Sequence, residues 1–487
     1  MPDGKSTQGL IAGLMAAPAV VLNWLTRCRI NPYCWVVILW ALFVLPAIFI
    51  RGTHHEEGTT IALARSIFQD GLWPGTFRYG DRLVDRPHAV SWLLGAVGYL
   101  IGYLPVWVAR IPTVLSLLGG ASLLYWLVRQ YASAAAGLVA VVCFMASPMI
   151  LQKLITAESD IVVSVLLFAA FVLFWRGHET GGPTVSRWMA IAAIIAVTGL
   201  VKGPHPLGYF FLGVGAFLLL RRQWAALFTL GVIGVVAAAV LLTWYLVIYQ
   251  PGDLGAWRAH SRLDAMAPLQ WLYQSVRFCL VFAIENIPGV LLFVPMLWSV
   301  VRRGLPRNED LLVSLICYAV VCTLVLAAWP GANGRYAMPA TLAIAAVAGL
   351  AYDRFAEQQR LLAGAALGVA GVLVTYQLVL NWIAMPLVSD KFRQQAILGH
   401  QISALTQPSG KLFVSNQAGD FNILAYVPHH VRMLPFPVIG QMQAPFWALV
   451  TPEELAALRN GNPTRSIVPR LARPSKNPWV LVEVGGP

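Results

Sequence analysis

The chain has 487 residues, of which 58% are apolar and only 11% are Asp, Glu, Lys or Arg, and it carries a formal net charge of +13. A typical soluble protein is roughly 25% charged, so composition excludes a string of soluble domains, which could not clothe a surface with so few charges. The surplus of positive charge does not mark a nucleic-acid binder: the basic residues stand in short clusters between apolar runs, where the positive-inside rule and anionic headgroups account for them.

Continuous apolar runs of about 17–25 residues select membrane helices over a β-barrel, whose strands alternate over about ten residues. In chain order the runs lie near 32–50, 108–128, 133–151, 160–175, 188–201, 204–220, 225–249, 271–301, 310–328, 336–352 and 361–381. The 271–301 run is too long for one straight helix. Pro288 and Pro295 predict a break there, or a surface-lying first half followed by the true crossing. The fold class is a polytopic α-helical membrane protein with about eleven to thirteen crossings.

Charge placement orients the chain. If Lys5, Arg27 and Arg29 stay inside, residues 1–31 form an interfacial inner segment and 51–107 a large outer loop within a membrane domain at 32–387. Arg129, Arg176 and Arg187, Arg221 and Arg222, Arg302, Arg303 and Arg307, and Arg354 and Arg360 then all fall on the inner side. This reading lays the apolar stretches 8–26 and 88–104 on the membrane surface, with a true span as the alternative for either.

From 388 to 487 the composition turns polar and the apolar stretches shorten, as in a small outer α/β domain. Strands are predicted at 411–415, 431–434, 446–450 and 479–484, and helices at 390–405 and 452–459. The last helix opens on Thr451 as cap with Pro452 in its first turn. No G-x-G-x-x-G or P-loop fingerprint is present. Cys28, Cys34, Cys143, Cys279, Cys317 and Cys322 lie in or beside apolar segments without a C-x-x-C pair, which favours packing over a disulfide or zinc cluster.

With most basic residues accounted for inside, the ionisable groups on the outer side become the chemistry candidates. The first outer loop holds His54-His55-Glu56-Glu57, and later Asp85-Arg86-Pro87. Acids just past a span end have a bland explanation, since they solvate a loop and open a helix electrostatically. The adjacent histidines leave a divalent metal open, but no third, spaced cluster supports one. Glu158 and Asp160 precede or begin the fourth span, and Lys202 lies between two apolar helices. A snorkelling lysine is the ordinary reading, yet Lys202 stands where the positive-inside rule does not place it. The 250–268 loop adds His260 and Arg262, and the loop after the ninth span adds Arg335 and Tyr336. Ionisable groups at a membrane surface are costly unless paired or used, and the set suggests a site for an anionic, lipid-borne substrate.

These residues resemble those of the GT-C glycosyltransferases, nearest to the lipid A aminoarabinose transferases and protein O-mannosyltransferases. Glu56-Glu57 followed by Ala64-Arg65, with Asp85-Arg86-Pro87 at the next helix, is similar to the family's first outer loop, where an Asp-Glu pair opens a surface helix and a Glu-Lys-Pro follows. Asp160 resembles its second acid at the head of a span. Leu200-Val201-Lys202-Gly203 looks like its Leu/Met-Thr-Lys-Gly, His260-x-Arg262 like a His-x-x-Arg, and Arg335-Tyr336-x-x-Pro339 like its late Arg-Tyr-x-x-Pro. The likeness runs in order over roughly 32–385. Glu56 stands where the family has Asp, Arg86 where it has Lys, and Thr60 where an aromatic is common.

The resemblance implies transfer of a sugar from a polyprenyl monophosphate to a lipid, glycan or protein acceptor. The chain would be a multi-pass protein of a bacterial inner membrane with its site and C-terminus in the periplasm, and inversion at the anomeric carbon is implied. The departing phosphate gains negative charge and needs fixed cations, for which Arg86, Lys202 and Arg262 are the candidates, with Arg335 and Tyr336 beside them. The acceptor hydroxyl needs a base, for which Glu56 stands first and Asp160 and Glu57 are alternatives, while Glu158 and His260 would bind substrate. No cofactor is required, and a divalent metal stays open through His54 and His55. Membrane lipids and not nucleic acid are the other partners. A transporter or flippase is the competing reading, but such proteins place polar groups near mid-membrane in related halves, and here the spans are nearly free of ionisable residues with no convincing repeat.

Overall fold

The computed structural model describes residues 24–485 apart from 74–75, 84–85, 254–266, 305–308, 330–331, 359, 462–463 and 474–476. The expected surface segment at 8–26 therefore lies almost wholly outside the described residues. All eleven apolar runs form helix. Among the described residues eight helices are long and apolar enough to cross a membrane, and a bent pair raises this to nine. That pair, Pro268–Glu285 and Gly289–Arg303, turns through 115° at Asn286–Pro288, the break that Pro288 predicts. Two runs fall short of a crossing. Ala134–Met145 has 12 residues and Leu207–Leu220 has 14, about 18 and 21 Å at ~1.5 Å per residue against a hydrocarbon core of about 30 Å. Ser147 and Pro148 start a new turn after the first, and Pro204 and Pro206 delay the second. Ala89–Ile101, with 13 residues, is likewise an apolar helix shorter than a full crossing.

The chain divides into two compact units. One holds the residues up to Ala47, Thr113–Ile155 and Ser159–Ala384; the other holds Ile48–Pro112, Thr156–Glu158 and Met385 onward. The first unit is the helical bundle. Its helices start where polar caps satisfy the first N–H groups: Asn31, Ser133, Ser147 and Thr184 each accept a backbone N–H. Outer faces stay apolar. In Trp224–Ile248, Leu230 and Ile233 are buried while Phe228 and Val235 are 76% and 70% exposed, the all-round apolarity of a helix that meets lipid.

One end of this bundle gathers the arginines expected inside. Glu309 accepts from Arg303 at 2.7 Å and Arg354 at 3.0 Å, and Asp310 pairs with Arg221 at 2.6 Å. His178, in the last turn of Asp160–Glu179, approaches Asp310 at 3.9 Å. Asp160 begins that 20-residue helix, so it stands about 30 Å away at the other end.

The second unit contains a five-stranded sheet: β3 (Lys411–Ser415), β4 (His430–Leu434), β5 (Phe446–Val450), β6 (Ile467–Arg473) and β7 (Trp479–Val484), in the order β4-β3-β5-β7-β6. β1 (Phe77–Arg78) and β2 (Asp81–Arg82) form a short separate hairpin. β3 is parallel to β4 and β5, whereas β7 is antiparallel to β5 and β6. β6 is not among the predicted strands. Its Pro469 and Arg470 break the apolar alternation, which an edge strand tolerates through the register shift between Pro469 and Leu471. The helix predicted at 452–459 is Pro452–Gly461, and its start is a reciprocal box: Glu454 N–H donates to Thr451 Oγ1, and Thr451 N–H donates to Glu454 Oε2.

The sheet core reaches into the segment 51–107. Ala62 and Tyr79 are buried with Ile402, Leu412, Val414, Leu424 and Val431. Arg65, fully buried on helix Glu57–Asp70, donates to the carbonyls of Leu424, Val427, Ala425 and Leu104. A Cβ on Gly58 would strike the backbone of Phe421, so only glycine lets the helix start approach that closely. The loop's catalytic candidates are thereby fixed to the C-terminal domain.

Candidate active site

Asp160 and Lys202 meet because of helix arithmetic. Asp160 opens the 20-residue helix Asp160–Glu179, and Lys202 closes the antiparallel 18-residue helix Val185–Lys202. Both are placed well for the helix dipoles, the acid at an N-terminus and the base at a C-terminus. Asp160 Oδ1 and Lys202 Nζ form a buried ion pair. Gly203, at φ 83°, turns the chain out of the helix and leads directly to His205.

Asn333 caps a 3₁₀ turn, Gly334–Ala337, by accepting Arg335 N–H at 3.2 Å, and the turn brings Arg335 and Tyr336 to the same place. The Tyr336 ring lies 5.9 Å from Lys202 Nζ, 5.7 Å from the Arg335 guanidinium carbon and 4.7 Å from the His205 ring. Asp160, Lys202, His205, Arg335 and Tyr336 line a cavity of about 10 Å³, room for roughly one water. Two cations, an acid and a phenol thus surround a space too small for a sugar phosphate unless the Asp160–Lys202 pair opens.

In the other unit, Glu56 precedes helix Glu57–Asp70, and its Oε2 accepts from Arg86 Nη2 at 3.2 Å. The Glu56 side chain is 43% exposed, and its backbone N–H donates to Glu158 Oε1 at 3.3 Å. Glu57 is fully buried, and its oxygens accept from Arg110 Nε at 2.6 Å, Arg110 Nη2 at 3.1 Å and the Ala157 N–H at 3.1 Å. Arg110 Nη1 donates to the Ile48 carbonyl at 2.6 Å. His54 Nδ1 lies 3.7 Å from Glu57. Burial first, then the charge of Arg51, pushes His54 down to about 3 from the ordinary 6.5, so its ring is neutral at physiological pH.

The sequence-predicted residues therefore fall into two groups, Asp160 with Lys202, Arg335 and Tyr336, and Glu56 with Glu57, Arg86 and Glu158. Only Ser159 separates Glu158 from Asp160 in sequence. His260 and Arg262 lie outside the described residues. Arg110 and His205 are additions. Arg110 had a usable signal, an arginine within the first turns of an apolar span, at the end the charge reading does not expect to be basic, the same anomaly that singles out Lys202. His205 follows Lys202-Gly203-Pro204 directly. Among the described residues no group of three or more His, Cys, Asp or Glu side chains is spaced to hold a metal ion; the His54 and His55 rings lie tilted at 52° with centroids 4.9 Å apart.

The sequence profile of the family described as dolichyl-phosphate-mannose-protein mannosyltransferase matches residues 85–247. No curated protein matches the sequence at the level required. Among solved structures the chain resembles ArnT from Cupriavidus metallidurans bound to undecaprenyl phosphate, with a TM-score of 0.70 and 16% identity, covering 93% of this chain and 98% of that one. It also resembles the apo state of the same protein, with a TM-score of 0.69 and 17% identity over 93% and 99% of the two chains. The chain has the fold of ArnT. Near-complete coverage extends that fold through the C-terminal sheet, and the profile match spans Arg86, Arg110, Glu158, Asp160, Lys202 and His205 of both polar groups.

Proposed function

We infer that this GT-C protein is an integral membrane glycosyltransferase that moves a sugar from a polyprenyl phosphate to an acceptor at the outer membrane face. The observation that carries the reading is the buried Asp160–Lys202 pair beside Arg335 and Tyr336, in a fold that ArnT uses with undecaprenyl phosphate bound. When the glycosidic bond breaks, charge develops on the leaving lipid phosphate, and preorganised cations stabilise it. Lys202 and Arg335 supply them, with Tyr336 as a hydrogen-bond donor. The phosphate competes with Asp160 for Lys202, which makes Asp160 a counter-ion that yields to substrate and then orients the sugar.

Glu56 is the base for the acceptor hydroxyl. It is the more exposed of the loop acids, and Arg86 aims its Oε2. Glu57 is a positioning residue, because Arg110 and the Ala157 N–H engage its oxygens. Attack from the face opposite the leaving phosphate inverts the anomeric carbon. The gathering of Arg221, Arg303 and Arg354 at the end of the bundle away from Asp160 supports a cytoplasmic location for that end and a periplasmic one for the site. Envelope glycolipid is the favoured acceptor, with protein O-glycosylation as the alternative.

The test uses purified protein in nanodiscs with a radiolabelled polyprenyl-phosphate sugar and a panel of glycolipid, glycan and peptide acceptors. Donor-dependent labelling of an acceptor, lost in Lys202→Met, is the expected result. Movement of the lipid-linked sugar across the bilayer with no labelled acceptor would replace this reading with a flippase.

A further inference from the structure

Helix Pro268–Glu285, the first limb of the bent pair, takes no part in the reaction proposed above. Trp271, Phe278 and Glu285 follow at intervals of seven residues, close to two helical turns, and so stand in line on one face. Phe278 and Phe282 on that face are buried, whereas Leu269, Tyr273, Leu280 and Ile284 on the opposite face are exposed. The packed face meets one stretch of chain at two points. Near the helix start, Trp271 Nε1 donates at 2.8 Å to the carbonyl of Ala328, the residue that closes helix Asp310–Ala327. At the helix end, Glu285 Oε2 lies against Gly334, so close that a Cβ there would stand 3.1 Å from it. Gly334 opens the turn that presents Arg335 and Tyr336.

Glu285 is itself held from behind. Gln152 hydrogen-bonds to its carboxylate, and the buried Asn286 donates its side-chain amide to the Phe282 carbonyl at 2.8 Å, which fixes the helix end. Among the described residues Glu285 Oε2 is a buried atom with no hydrogen-bond partner. A buried acceptor without a donor is costly, so this oxygen does not hold the turn by bonding to it. It offers the turn a wall. Glycine fits against that wall, and a side chain at 334 would displace one of the two by a few tenths of an ångström. We infer that Glu285 is a positioning residue: through Gly334 it sets where Arg335 and Tyr336 stand, and so the seat of the donor phosphate. The phosphate in this inference rests on the glycosyltransferase reading, whereas the contact with the turn does not.

Two measurements on the whole chain in detergent test this. Hydrogen exchange needs no ligand: Glu285→Ala should speed exchange of the amides of Arg335, Tyr336 and Ala337. Glu285→Gln, which keeps the shape and removes the charge, should leave them as in the wild type. Native mass spectrometry with a polyprenyl phosphate then reads the site itself. Gly334→Ala should weaken binding about tenfold at an unchanged melting temperature, since a small misplacement of binding groups suffices. Gly334→Ala/Glu285→Ala should bind better than Gly334→Ala alone, because removing the wall makes room for the added methyl. A Gly334→Ala protein that binds like the wild type, or a double variant no better than it, overturns the proposal. So does a Glu285→Gln protein as impaired as Glu285→Ala, because the carboxylate would then act by its charge. A wild type that binds no polyprenyl phosphate while the exchange results hold would overturn the glycosyltransferase reading and bear out the contact that sets the turn.

Discussion

Glu57–Arg110 and Asp160–Lys202 are both buried ion pairs formed by residues at the ends of apolar helices. Around Glu57 the partners are complete: two nitrogens of one planar guanidinium and a backbone N–H, with a third guanidinium nitrogen on a carbonyl. Around Asp160 the partner is a flexible lysine, and a second cation, a phenol and an imidazole crowd a space of about 10 Å³. The first arrangement locks a helix start in place, since breaking it strands a charge that nothing else satisfies. The second sets a second cation beside a point-charge partner able to swing, which suits an anion that arrives and leaves.

The largest effect that tests this contrast falls on stability. Arg110→Met should destabilise the protein by about 3–5 kcal/mol, the usual result of orphaning one member of a buried pair. Thermal unfolding in detergent measures the loss, and Arg110→Met/Glu57→Leu should recover part of it. If Arg110→Met melts like the wild type, the pair is not structural and the contrast fails.

Lys202→Met should do the reverse, with a melting temperature near that of the wild type and a transfer rate about 10²–10³-fold lower, the usual loss when one transition-state donor is removed. A wild-type rate with Lys202→Met would remove the lysine from the phosphate site. Glu56→Gln should lower kcat by about 10²-fold with little change in KM for the donor. A comparable loss in both parameters would instead assign Glu56 to binding.

The smallest effect sharpens the picture of the locked region through pH. His54 beside Glu57 is held at about 3 in the folded protein, against about 6.5 when unfolded. As pH falls below about 6.5 the unfolded chain takes up a proton that the folded chain refuses, so this residue makes stability decline toward acid until about pH 3. Between pH 7.5 and pH 5 its share is about 2 kcal/mol. Unfolding measured at both values should show a shallower decline in His54→Gln. An unchanged slope would mean that the ring takes up its proton in the folded state near the usual pH.

Local pattern singled out Asp160 and Lys202 separately, without pairing them, and hid the arginine pair. Asp160 and Lys202 open and close consecutive helices of nearly equal length, which is how the fold brings them together. Glu57 and Arg110 are partners 53 residues apart, with two helices and a hairpin between them, a distance no local rule spans. The β6 strand escaped notice for a related reason, because its Pro469 and Arg470 are tolerable only at a sheet edge, and edges are decided by neighbours. The role of Arg65 was equally hidden. As a sequence letter it is one more outer-loop cation, yet in the fold it holds four carbonyls of the second unit.

By itself, the amino-acid order determined the solvent the protein lives in, the position of its helices, the proline break at 288 and most strands of the C-terminal sheet. Those follow from short-range rules of burial, backbone geometry and helix length. Only the tertiary structure decided which of two adjacent glutamates is locked to an arginine and which stays accessible. It also decided that the first outer loop shares a core with the C-terminal domain. Such choices depend on groups far apart in the chain competing for the same few buried hydrogen-bond partners, and that competition is settled only when the chain has folded.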